Sequence, residues 1–278
     1  MPELPEVETI VRKLRPLVTG QEIAGVEVAW ARSVAVPSAE AFIAELPGHR
    51  IRAVTRRGKF IVMPLDPSAV FVAHLRMSGR MVYIAADALA HPLDGAKHTQ
   101  VMITLRTGDR LAFYDPRKFG RLWLVESGDA VTALLGCEPL DDTFTPALLG
   151  ELLHGCRRQL KPALLDQHLI AGLGNIYADE ALWHAGLHPL RLASSLDEAE
   201  IERLHSAIVE TLQLAISHYG TTLRDYRDPA NEPGEHLTSL NVYQRTGQTC
   251  RRCGSTIERI VVGQRGTHLC PQCQALDR

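Results

Sequence analysis

The sequence predicts an α+β fold: an N-terminal helix and an antiparallel β-sandwich, then a helical region ending in a four-cysteine β-hairpin. Three observations predict it. Val7, Ile10, Val11, Leu14, Leu17 and Val18 recur at helical spacing. Residues 21–126 are a succession of short runs rich in Val, Ile, Leu, Phe and Tyr, separated by turn residues such as Thr107-Gly108-Asp109. Beyond residue 128 the apolar period becomes helical, until two C-x2-C pairs appear.

Taken in order, Pro16 and Gly20 put the end of the first helix close by. The segments 51–55, 59–63, 70–75, 80–84, 100–105, 110–114 and 121–125 read as strands. Many short strands without intervening helices imply a sandwich or barrel. Residues 146–153, 160–168 and 175–185 read as short helices. A longer helix over 197–218 carries the stripe Ile201, Leu204, Ile208, Leu212 and Ile216, with Ser195 and Glu198 as its capping box. Residues 220–238, with Pro229, Pro233 and Gly234, read as a long loop of the kind that is usually functional or disordered. The expected domains are 1–128 (sandwich), 129–239 (helical) and 240–278 (cysteine module).

The 278 residues are 45% hydrophobic and 22% charged, which excludes disorder as the main state. No apolar run approaches the ~20 residues of a membrane-spanning helix. The acidic opening, Met1-Pro2-Glu3-Leu4-Pro5-Glu6-Val7-Glu8, has no apolar core of a secretory signal. A cytoplasmic protein is therefore expected, with no membrane partner. The net charge of −2, taken whole, argues against a nucleic-acid partner. Taken by zones it does not. Residues 50–121 hold 13 basic and 5 acidic residues, and residues 241–278 hold 6 basic and 2 acidic. Between them, residues 179–235 hold 4 basic and 11 acidic. Two basic blocks in an acidic frame suit either ordinary solvated surfaces or a polyanion site built from distant segments.

Cys250 and Cys253 are spaced C-x2-C, and Cys270 and Cys273 repeat the spacing after 16 residues. Four thiolates in two such pairs suit one tetrahedral Zn²⁺, and four protein ligands leave no open position, so the ion is expected to be structural. A pair of disulfides is disfavoured in the cytoplasm. Cys137 and Cys156 lie outside the pattern and receive no role.

At the N-terminus, removal of Met1 would free the secondary amine of Pro2. An α-amino group with a pKa of about 7.7–8.0 has a useful neutral fraction near pH 7 and attacks a sugar C1′ to give an iminium. Glu3 and Glu6, three residues apart, offer a general acid if one is buried. The same residues also suit a plain helix start, since acids favour the first turn and proline its first position.

The opening Met1-Pro2-Glu3-Leu4-Pro5-Glu6-Val7-Glu8-Thr9 strongly resembles that of the formamidopyrimidine-DNA glycosylases, which are 8-oxoguanine DNA glycosylase/AP lyases. So do Arg57-Gly58-Lys59-Phe60, His74-Leu75-Arg76-Met77-Ser78-Gly79, Lys97-His98 and Asp115-Pro116-Arg117-Lys118-Phe119-Gly120. Leu173-Gly174-Asn175-Ile176-Tyr177-Ala178-Asp179-Glu180 resembles the family's helix–two-turn–helix motif, and Gln264-Arg265-Gly266-Thr267-His268 with the cysteines its zinc finger. The resemblance covers essentially the whole chain.

The resemblance implies an N-terminal β-sandwich and a helical domain with the zinc finger, with double-stranded damaged DNA running between them. It implies a bacterial monomer that works on the nucleoid, with one structural zinc. It assigns Pro2 as nucleophile, Glu3 as proton donor and Glu6 as a supporting carboxylate. Lys59 would serve phosphate contact and β-elimination, and Arg265 phosphate contact and δ-elimination. Met77, Arg117 and Phe119 would fill the hole left by the flipped-out nucleotide. His74, His98, Arg157 and Asn175 would contact DNA. One departure stands out: where the family often has Pro-Gly-Tyr-Phe in the loop over the flipped base, this chain has Pro233-Gly234-Glu235-His236. An endonuclease VIII-like enzyme for oxidised pyrimidines, and a non-catalytic zinc-ribbon DNA-binding protein, are the alternatives at this stage.

Overall fold

The computed structural model describes residues 1–88 and 96–276. They form two compact units, one of residues 1–134 and 218–237, the other of residues 135–217 and 238–278.

The first unit opens with α1 (Leu4–Val18), whose Val7, Ile10, Val11, Leu14 and Val18 are buried. Leu17, expected in that stripe, is exposed. The helix ends close to Pro16 and Gly20 as expected, with Pro16 itself in the last turn. Next come β1 (Ile23–Val28), β2 (Val34–Val36) and α2 (Ala39–Glu45). They are followed by β3 (Arg50–Ile51), β4 (Thr55–Arg57), β5 (Phe60–Asp66), β6 (Ala69–His74), β7 (Arg80–Ile84), β8 (Thr99–Leu105), β9 (Arg110–Tyr114) and β10 (Arg121–Val125). One sheet has the order β1-β8-β9-β7 and the other β2-β10-β6-β5-β3, with β4 also on β5. Among the described strands of these two sheets, every pairing but β2–β10 is antiparallel. Ile61, Met63 and Phe71 of one sheet share a single core with Ile103, Leu111 and Phe113 of the other and with α1. That common core makes the two sheets a sandwich.

Two local expectations are corrected here. The strand expected over 51–55 is two pieces, β3 and β4, that pair with β5 with one extra residue between them. Pro64 of β5 accepts the Arg52 N–H at 2.8 Å but has no N–H to return, so the ladder breaks into a bulge there. The helix α2 lies in a stretch that reads as all β. Ser38 caps it, its hydroxyl accepting the Ala41 N–H at 3.2 Å, and that cap was its sequence signal.

The second unit is helical: α3 (Asp129–Thr132) precedes it, and α4 (Pro146–His154), α5 (Leu160–Leu164), α6 (Asn175–Ala185) and α7 (Glu198–Ser217) build it. The helix expected over 160–168 stops at Leu164. Asp166 then takes the His168 N–H at 2.9 Å on its side chain, an Asx turn that redirects the chain. The cap of α7 is Asp197 rather than Ser195. Asp197 and Glu200 exchange backbone N–H bonds at 3.0 and 2.8 Å, while the Ser195 hydroxyl donates to Leu192 O at 2.9 Å. The unit ends in a hairpin, β11 (Glu258–Val262) and β12 (Arg265–Leu269), joined by Gly263 and Gln264, both at positive φ.

The segment 218–237, expected within the helical domain, packs with the sandwich. Tyr226 belongs to its core, Pro229 O accepts the Tyr83 N–H at 2.9 Å, and Asp228 is ion-paired with Lys13 of α1. Among the described residues, no helix is long and apolar enough to cross a membrane.

Candidate functional site

In the first unit the chemistry-bearing side chains gather at the start of α1. Pro2, Glu3 and Glu6 are all buried, the two carboxylates to 3% and 1% exposure. Glu6 reaches back to the Glu3 N–H at 2.7 Å, and its other oxygen accepts the Thr221 N–H at 2.7 Å. One carboxylate thus fixes both the residue after Pro2 and the neck of the 218–237 loop. Buried carboxylates need such partners.

The β4–β5 turn carries Lys59, itself 6% exposed. Arg56 ties that turn to α1, donating to Glu8 at 3.0 Å and to Gly58 O at 3.0 Å. Burial works against the Glu8 charge, but hydrogen bonds from Arg12 and Arg56 hold its carboxyl below the usual range. His74 lies opposite Phe60 in the β5–β6 register, their rings 4.5 Å apart edge to face. Burial, then the positive charges of Arg76 and Lys59, push the His74 imidazole down to about 3. His74 is therefore neutral at physiological pH. Its Nδ1 accepts the Arg76 N–H at 3.1 Å, which leaves Nε2 as the protonated nitrogen and a neutral donor for a ligand.

The depressed value has a consequence for stability. The unfolded chain takes up a proton at His74 near pH 6.5; the folded chain resists until about pH 3. Stability held above pH 6.5 is thus lost as pH falls. Between pH 6.5 and 5 the parent is expected to lose about 2 kcal/mol more than a His74→Asn variant. Denaturant midpoints at the two pH values check this; equal losses in both proteins would refute it.

Met77 and Phe119 stand exposed at 42% and 48% on two connections of the same unit, and the Arg117 guanidinium lies 5.0 Å over the Phe119 ring. His98 is half-buried beside Tyr114, and its carbonyl accepts the Asp115 N–H at 2.9 Å. At position 236, where the expected family pattern has Phe, His236 is buried with its Nδ1 3.0 Å from His218 Nδ1.

In the second unit, the four cysteine sulfurs lie within 4.8 Å of one another, Cys250–Cys273 at 3.9 Å and Cys253–Cys270 at 3.4 Å. Those separations are too long for disulfides and close to the ~3.8 Å edge of a tetrahedron with 2.3 Å Zn–S bonds. Backbone N–H groups of Arg252 and Cys273 point at Cys250 and Cys270 sulfurs at 3.4 Å, as suits thiolates on a metal. The four cysteines form a structural Zn²⁺ site.

Arg265, exposed, begins β12. Asn175 begins α6 as expected, and its amide donates to Gly266 O at 3.1 Å. Arg157 is exposed, while its neighbour Arg158 pairs with Asp166 at 2.7 Å. Sequence reasoning missed what holds this hairpin. Lys161, wholly buried, pairs with Asp179 at 2.6 Å and donates to Thr267 Oγ1 at 2.9 Å and Gly266 O at 3.1 Å. Asp179 also accepts the His268 N–H at 2.8 Å. Glu180 accepts the N–H groups of Asn241, Val242 and Tyr243 at 2.8–2.9 Å. The available signal was two adjacent acids in the middle of a helix whose central residues are otherwise mostly apolar. Lys161→Met is expected to cost about 3–5 kcal/mol, since it strands a buried carboxylate; a denaturant midpoint unchanged from the parent would contradict this.

The comparisons agree with this architecture. Three family models match: the formamidopyrimidine-DNA glycosylase N-terminal domain over residues 1–122, the formamidopyrimidine-DNA glycosylase H2TH domain over 135–227, and a zinc finger found in FPG and IleRS over 247–276. A Herpetosiphon aurantiacus protein named formamidopyrimidine-DNA glycosylase is 47% identical, over 99% of this chain and 100% of its own. The crystal structure of the MutM (Fpg) protein from Thermus thermophilus is similar at TM-score 0.88 and 43% identity over the whole of both chains. A Lactococcus lactis FPG mutant in complex with a Fapy-dG-containing DNA is similar at TM-score 0.89 and 37% identity, over 99% of this chain and 100% of that one.

Proposed function

This chain belongs to the formamidopyrimidine-DNA glycosylase family, and on that premise we propose a division of labour among its residues. It is a bifunctional DNA glycosylase/AP lyase of base excision repair. It removes oxidised purines from duplex DNA and nicks the abasic strand by β,δ-elimination.

With Met1 removed, the Pro2 nitrogen attacks C1′ of the damaged nucleoside. The glycosidic bond breaks and the base leaves with a proton. Glu3 protonates the deoxyribose ring oxygen as the ring opens, and the iminium forms on Pro2. Lys59 holds phosphate and assists loss of the 3′-phosphate, and Arg265 steadies charge during loss of the 5′-phosphate. Glu6 supports Glu3. Met77, Arg117 and Phe119 fill the emptied stack, Arg117 facing the orphaned base. His74, His98, Arg157 and Asn175 contact the DNA. The single observation that carries this reading is the buried Pro2-Glu3-Glu6 start of α1, with Glu6 bonded to both Glu3 and Thr221. The bacterial origin of the relatives supports action on the chromosome in the cytoplasm.

The test is turnover of three duplexes that carry 8-oxoguanine opposite cytosine, a formamidopyrimidine, or thymine glycol. The two purine lesions are expected to be excised at least tenfold faster. A preference for thymine glycol would overturn the assignment in favour of an oxidised-pyrimidine enzyme.

A further inference from the structure

We propose that Asp115 and Ser78 are a positioning pair that sets the three hole-filling side chains in one register. The proposal rests on the reading of Met77, Arg117 and Phe119 given above. Met77 lies on the connection from β6 to β7, Arg117 and Phe119 on that from β9 to β10. These connections are built alike. Each has a non-glycine residue at positive φ just before the exposed side chain, Arg76 (53°) before Met77 and Lys118 (58°) before Phe119. Each then closes on a glycine that tolerates no side chain. A Cβ on Gly79 would sit 2.5 Å from Leu75 O, and one on Gly120 2.3 Å from the Phe113 ring. Left-handed backbone at a non-glycine residue costs about 1–2 kcal/mol and persists only where the surroundings over-determine it.

Asp115 supplies that determination. Its side chain is wholly buried, and the carboxylate accepts the Ser78 hydroxyl at 2.6 Å, the Gly120 N–H at 2.7 Å and the Arg117 N–H at 3.3 Å. Its own carbonyl accepts the Gln100 amide at 3.0 Å and the Lys118 N–H at 3.3 Å. Ser78, 2% exposed, lies between Met77 and Gly79. The Ser78–Asp115 bond therefore joins the residue after Met77 to the carboxylate that shapes the Arg117–Phe119 turn. Met77 and Phe119, at 42% and 48% exposure, are held less by packing than a buried side chain would be. Their backbones carry the information, and a charge-assisted bond inside a dry site is a stiff link between them.

The test uses Ser78→Ala, which removes the cross-link yet leaves Asp115 its two backbone partners, with Ser78→Thr as the variant that keeps the hydroxyl. Three readouts are compared: single-turnover excision of 8-oxoguanine opposite cytosine, the same opposite adenine, and borohydride trapping on single-stranded abasic DNA, which has no opposite base. Ser78→Ala is expected to slow excision opposite cytosine about tenfold, as loss of one charged hydrogen bond would. Its cytosine-to-adenine rate ratio is expected to move toward one, trapping on the single strand to stay within twofold, and Ser78→Thr to recover most of the loss. A uniform fall on all three substrates, or no change on any, overturns the proposal. If Ser78→Ala does not fold, Asp115→Asn is read against the same ratio, with the same two overturning results. Should the parent itself give no trapped adduct, the glycosylase/lyase reading fails first and the positioning role with it.

Discussion

A residue left in front of Pro2, whether Met1 itself or a short N-terminal tag, is expected to lower excision of 8-oxoguanine by about 10³-fold or more and to abolish the borohydride-trapped adduct. Losses of that size follow when a covalent nucleophile is removed. The reason is chemical. An acylated proline nitrogen is a tertiary amide with no lone pair to offer C1′, whereas the free secondary amine has a pKa of about 7.7–8.0 and is partly neutral at pH 7. The surroundings sharpen the effect, because Pro2, Glu3 and Glu6 are buried together and Glu6 is pinned on both oxygens. Binding of a non-cleavable abasic analogue is expected to stay within a few-fold, since the extension removes chemistry rather than cations. N-terminal mass analysis of the trapped species checks that Pro2 carries the sugar. An adduct of undiminished yield on the extended chain would mean another residue is the nucleophile.

Zinc removal is expected to have the second large effect. The module's core holds Trp183, Val242, Cys250, Ile257 and Cys270, and two of these five are metal ligands. So small a core does not fold alone. The binding energy of a structural zinc, about 10–16 kcal/mol in small fingers, is its folding energy. Chelation, or Cys253→Ala at the exposed ligand, is therefore expected to erase slow hydrogen exchange in β11 and β12. With the hairpin gone, Arg265 has no fixed place and duplex binding is expected to weaken. Lys161, Asp179 and Asn175 would still pull on Gly266–His268, but they grip one strand only. Zinc release with amide protection of residues 258–269 intact would show that these ties, and not the metal, hold the hairpin.

The zinc site was legible because its ligands are set by short-range spacing. The cysteine spacing alone brought four sulfurs together, and α6 and α7 appeared where the apolar period put them. What escaped was non-local. Ser78 and Asp115 are 37 positions apart, Lys161 and Thr267 106 apart, and Glu6 and Thr221 215 apart. No period or motif spacing links such pairs. The packing of the loop 218–237 with the first unit escaped for the same reason: its anchors, Glu6, Lys13 and Tyr83, lie far upstream.

By itself the sequence determined the class of fold, the zinc ligands, and where the basic blocks and the proposed nucleophile lie along the chain. Those properties are set by residue type and local spacing, which folding does not change. Only the tertiary structure decided which charged groups are buried and what they hold. Lys161 and Asp115 look in sequence like ordinary surface charges, and become fixed points because their surroundings bury them and supply partners. It also decided that His74 is neutral, since burial and the cations Arg76 and Lys59 come together only in the folded chain.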